Sequence, residues 1–163
     1  LISEPGVSKT SIASGLAQRL VNHDVPASLI AHIFSLNMGV LMAGAKYKGE
    51  YEERIKCILN KAEKAAADGG PSVILFIDEL HLIMASRGSE VSGMDTTNLF
   101  KLLLARGKLC HIVATTLAEY RKYIETNTPG QRWFAQVLVN KPTIPKIISI
   151  IHGIRENYKV HHG

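Results

Sequence analysis

Residues 73–81 read VILFIDELH, and this stretch decides the fold. Positions 73–77 are apolar without a break, so no polar face alternates with a buried one. Such a run fits a strand covered on both faces, as in a parallel α/β sheet. Two carboxylates, Asp78 and Glu79, follow at once. In a nucleotide-hydrolysing site, the first of such a pair enters a Mg²⁺ shell and the second orients and polarises an attacking water. Acids after a strand also cap helix N-termini, where the helix dipole favours negative charge. The stretch alone leaves both readings open.

Working outward toward the N-terminus, the chain opens LISEPGVSKTSI. The run Pro5-Gly6-Val7-Ser8-Lys9-Thr10-Ser11 resembles the phosphate end of a G-x-x-x-x-G-K-[ST] loop. Such a loop works because backbone N–H groups and a helix N-terminus surround an anion. Lys9 would give a point charge to the β- and γ-phosphates, and the Thr10 hydroxyl would coordinate Mg²⁺. Ser3 and Ser8 stand where the motif has its two glycines. A Cβ at a positive-φ position costs roughly 1–2 kcal/mol, and a side chain aimed at the phosphates adds a steric penalty. The substitutions predict weakened ATP binding rather than its loss. Alone, this loop is a weak match. Joined to Asp78-Glu79 in one chain, it makes ATP-binding ancestry the better reading.

A third piece lies downstream in CHIVATTLAEY, residues 110–120. Thr115 or Thr116 would stand at the C-terminal end of another buried strand, where ligands sit in open α/β sheets. From there either hydroxyl would reach the γ-phosphate or the attacking water. Either threonine also suits the N-cap of the next helix.

Between these pieces, strands and helices alternate. Helices are predicted over 10–22, with Ile12, Leu16 and Leu20 at four-residue steps, and over 51–67, with Ile55, Ile58, Leu59 and Ala62 on one face. Val25-Pro26 breaks the first, and Gly69-Gly70-Pro71 stops the second. Further helices are expected over 95–105, 117–125 and 145–158, and strands over 32–36, 110–114 and 137–139. Residues 46–49 read as a loop between glycines, and 85–93 as a polar loop. Alternation of this kind implies an α/β fold with a mostly parallel sheet sandwiched by helices.

With 163 residues, the chain suffices for one domain with a core. Its composition, 46% hydrophobic and 20% charged, argues against disorder. No apolar run approaches the ~20 residues of a membrane span. The net charge of +5 is spread along the chain, with bases often beside acids as in GEYEERIK, so a nucleic-acid face is weakly supported. Cys57 and Cys110 have no metal spacing and fall in apolar stretches, which reads as two reduced, buried thiols.

The segments EPGVSKT, MAGAKYKGEYEERIK, VILFIDELH, GMDTTNLFKLLLARGKL, ATTLAEYRKYIE and ENYKVHHG follow in order. Together they resemble the first ATPase domain of the ClpB-type heat-shock disaggregases, a branch of the AAA+ proteins, essentially end to end. The resemblance implies a P-loop large subdomain spanning 1–163 as a single nucleotide-binding unit, with its first strand truncated and without the helical lid. It implies ATP and Mg²⁺ as ligands, with Lys9, Thr10, Asp78 and Glu79 in the phosphate and Walker roles. Thr116 matches the sensor of the γ-phosphate, and Arg132 an arginine acting in trans on a neighbour's ATP. Tyr47 matches the pore-loop aromatic that grips unfolded or aggregated polypeptide inside a homo-hexameric ring. The resemblance implies a cytoplasmic protein without membrane attachment, although relatives in the mitochondrial matrix share these motifs.

The chain departs from the family pattern where ATP chemistry is expected. Besides Ser3 and Ser8, Val113 replaces a glycine, and Trp133 replaces the second of two adjacent arginines. Three readings follow. The first is an ATP-hydrolysing module of a protein-remodelling chaperone. The second is a degenerate, non-enzymatic fragment with little nucleotide binding, acting as an assembly module. The third is a nucleic-acid-dependent ATPase, which predicts salt-sensitive oligonucleotide binding; the resemblance favours polypeptide.

Overall fold

The protein is described by a computed structural model covering residues 1–43, 48–67, 71–79, 109–125 and 134–162. Its centre is β3 (Ser72–Ile77), the strand expected from VILFI. Parallel neighbours β2 (Ala31–Leu36) and β4 (Cys110–Val113) flank it, Leu36 lying opposite Ile77 and Val113 on the other side of the same residue. After Ala114, whose N–H donates to the Ile77 carbonyl at 2.9 Å, the chain continues as β5 (Thr115–Thr116). Strand β1 (Ile2–Ser3) pairs with β5 in parallel, Ile2 opposite Thr115. Beyond β1, Leu138 bridges Ile2 in parallel, with Ile2 N–H on the Val137 carbonyl at 2.9 Å and Val139 N–H on the Ile2 carbonyl at 2.8 Å. The strand predicted over 137–139 is thus a single bridge.

Helices cover both faces. Helix α1 (Lys9–Val21) lies on one side, with Ala13 against Phe76 and Ala114, and Leu20 against Ala31 and Ile74. Helix α3 (Lys48–Ala67) lies on the other, where Ile55 and Leu59 join Val73, Leu75 and Ile77. A short helix α2 (Met38–Met42), capped by the Asn37 side chain, precedes it. Side chains of a strand alternate between faces, so residues 74 and 76 serve α1 while 73, 75 and 77 serve α3. That division is why every position of VILFI is apolar and at most 4% exposed.

Several expectations change in the structure. Cys57 and Cys110 are exposed rather than buried. Cys57 lies two positions on from Ile55, about 200° around a helix of 3.6 residues per turn, and so faces solvent. Cys110 begins β4 at the edge of the core. On α1 the buried stripe runs through Ala13 and Leu20 with Leu16 beside them, while Ile12 is 43% exposed. Lys48 and Gly49, read as loop, already belong to α3. Helix 117–125 begins as one α-turn, α4 (Leu117–Glu119), and continues as a π-helical turn, Tyr120–Glu125. The predicted helix 95–105 and loop 85–93 lie outside the described residues, as does Tyr47.

An apolar cleft of about 370 Å³ lies beside β1, between β4 and residues 134–137. The last helix, α5 (Ile144–His162), exposes Ile144, Ile148, Ile151 and Ile154. No described helix is long and apolar enough to cross a membrane.

Candidate nucleotide site

The C-terminal ends of β1, β3 and β5 open onto one polar cleft of about 360 Å³. Because the strands are parallel, segments far apart in sequence deliver their following residues to the same edge of the sheet. From the first segment come Pro5, Gly6, Ser8, Lys9 and Thr10; from β3, Asp78 and Glu79; from β5 and α4, Ala114, Thr115, Thr116 and Glu119.

The loop between β1 and α1 turns through two left-handed residues, Gly6 at φ 76° and Ser8 at φ 57°. Ser8 is the N-cap of α1 but makes no side-chain cap bond, and the first turn holds no acidic residue. The start of α1 therefore offers helix N-terminal N–H groups with no acidic side chain in its own first turn to compete for an anion. Ser3 behaves differently from Ser8. It lies in β1 with no positive φ, is 1% exposed, and carries none of the strain expected for both serines. Its hydroxyl donates to the Glu4 carbonyl at 2.8 Å. The Lys9 ammonium donates to Ser3 Oγ at 3.0 Å and to the Glu4 carbonyl at 3.5 Å.

The two halves of the site touch at one bond. Thr10 Oγ1 donates to Asp78 Oδ2 at 2.6 Å, linking the start of α1 to the end of β3. Asp78 Oδ1 accepts the Glu79 N–H at 2.9 Å, and Glu79 takes a left-handed φ of 51°. A hydroxyl and a carboxylate oxygen this close present two hard oxygen donors to one point. Mg²⁺ binds oxygen at about 2.0–2.1 Å in an octahedron and commonly takes few protein ligands, leaving the rest to water and phosphate. The pair fits such an ion after a small opening.

Thr116 fills the capping role that its sequence also allowed. Its Oγ1 accepts the Glu119 N–H at 3.3 Å, while Glu119 Oε2 accepts the Thr116 N–H at 3.0 Å. Thr115 Oγ1 donates to the same carboxylate oxygen at 3.2 Å. The hydroxyl of Thr116 still has a proton to offer, so capping and facing the cleft are compatible. Glu119 was not singled out in the sequence, although T-x-x-E at 116–119 is the capping-box signature. Val7 is buried at 9% and, with Ser11, does not line the cleft. Arg132 and Tyr47 lie outside the described residues.

Comparison with known proteins identifies the family. The family model for AAA, the ATPase family associated with various cellular activities, matches residues 1–133. Over the whole chain the sequence is 52% identical to heat shock protein hsp98 of Neurospora crassa, spanning 17% of that protein. It is 56% identical to the chaperone protein ClpB of Lactococcus lactis subsp. cremoris, spanning 18% of it. A solved structure of closed-state Hsp104 with ATPγS and FITC casein superposes with a TM-score of 0.79 at 40% identity, covering 99% of this chain and 27% of that one. The chain thus spans less than a fifth of the length of these two sequence relatives. With a P-loop α/β core, a matching family model and full-chain similarity, this chain belongs to the AAA family of ATPases, in its ClpB-type heat-shock branch.

Proposed function

We propose that this chain is an ATP-binding and ATP-hydrolysing module of a protein-remodelling chaperone that assembles as a ring and threads polypeptide. The observation that carries the reading is the 2.6 Å bond between Thr10 and Asp78, which brings the phosphate loop and the acidic pair into one cleft. In this reading the loop N–H groups and Lys9 hold the phosphates, and Thr10 and Asp78 hold Mg²⁺. The ion, when bound, offsets charge on the phosphate oxygens. Glu79, exposed at the rim, orients and polarises the attacking water. Thr116 donates to the γ-phosphate or that water. Arg132 completes a neighbouring subunit's site, and Tyr47 grips the polypeptide with an aromatic surface that tolerates many side chains.

Titration of the purified chain with Mg-ATP tests the first half of this reading. Binding should appear, Lys9→Ala should lose it, and Glu79→Gln should keep it while turnover stops. No binding at saturating Mg-ATP would leave the chain as a non-enzymatic assembly module. In a ring-forming context, Tyr47→Ala should abolish threading of an unfolded protein and leave ATP binding unchanged.

A further inference from the structure

Lys9 has three N–H donors and no acceptor. One of them is on Ser3 Oγ and one reaches toward the Glu4 carbonyl. Bridging two phosphates takes two donors. Where the loop motif has glycine at this position, no side chain competes for them. Here the competitor is well fixed. Ser3 is 1% exposed, and its proton is committed to the Glu4 carbonyl at 2.8 Å, so its oxygen faces Lys9 as an acceptor. The buried acceptor cannot turn to water when Lys9 leaves, and an acceptor left unpaired in the interior carries a desolvation penalty. Lys9 is therefore held back on the loop's own polar atoms.

We propose that Ser3 is a positioning residue that retains one Lys9 donor, lowers affinity for the triphosphate, and narrows the preference for ATP over ADP. This deepens the ATP-binding reading and rests on it. The β-phosphate is common to both nucleotides and can be met by one remaining donor. The γ-phosphate is the group that loses its share of the ammonium.

Ser3→Ala keeps the Cβ in β1 and removes only the hydroxyl. Calorimetric titration of the whole chain with Mg-ATP and Mg-ADP should show ATP binding at least threefold tighter than in the unsubstituted chain, with ADP changed by less than twofold. In a Lys9→Ala background, where binding is lost, the same substitution should restore binding of neither nucleotide. Ser3→Gly, the residue of the loop motif, should reproduce the result and carries the test if Ser3→Ala fails to fold, with thermal unfolding as the check. Equal tightening of ATP and ADP would assign Ser3 a purely structural part and overturn the proposal. So would unchanged affinities, and in both cases ATP binding itself would stand. Failure of every variant, and of the unsubstituted chain, to bind either nucleotide would overturn the ATP-binding reading and this proposal together.

Discussion

At the scale of single residues, the two serines of the loop do different things because their backbones differ. Ser8 sits at φ 57° and ψ 42°, a region that disfavours any residue with a Cβ. Ser8→Gly should therefore stabilise the fold by about 0.5–1 kcal/mol after the extra unfolded-state entropy of glycine is counted. For a domain of this size that is a rise in Tm of about 1–3 °C by thermal unfolding. Gly6 is the reverse case. A Cβ there would meet none of the described residues within 4 Å, yet φ is 76°, so Gly6→Ala tests backbone strain without a clash among them. It should cost about 1–2 kcal/mol. The sequence shows both serines as departures from a motif. Which of them is strained depends on dihedral angles that residue identity does not carry.

Elements owe their stability to the faces they bury. Helix α3 was readable because its apolar residues recur at helical spacing, and Ile55 and Leu59 are both 0% exposed. Leu59→Ala should cost about 2–5 kcal/mol, since the surrounding side chains can collapse only partly into the space. Lys61→Ala, on the exposed side of the same helix, should stay within about 0.5 kcal/mol. Chemical denaturation of the two variants side by side measures the contrast. Helix α1 was less legible. Four-residue spacing marked Ile12, yet the sheet receives the small Ala13, because close approach of helix to strand at Phe76 and Ala114 favours a methyl group. The sequence predicts a strand over 110–114, but pairing runs on to Thr116 and changes partner at Ala114, passing from β3 to β1.

At the scale of the whole molecule, His111 couples the fold to pH. Burial holds its imidazole below the ordinary value of 6.5, outweighing a backbone hydrogen bond at Leu109 that acts the other way. Among the described residues its buried Nε2 has no hydrogen-bond partner. The unfolded chain then binds the proton more readily than the folded one, so stability rises with pH through this range. The contribution is complete above about pH 6.5 and is lost as pH falls toward the lowered folded value. Denaturation at pH 7.5 and at pH 5.5 should show a fall on acidification that is smaller in His111→Gln. The sequence by itself determined the alternation of elements, the doubly buried strand β3 and the acidic pair at its end. These are local patterns of burial and charge, written residue by residue. The bond between Thr10 and Asp78, the hold of Ser3 on Lys9 and the outward turn of both cysteines were decided by tertiary structure. Each depends on strand pairing and helix rotation, which the summed packing of the whole sheet selects and no short stretch encodes.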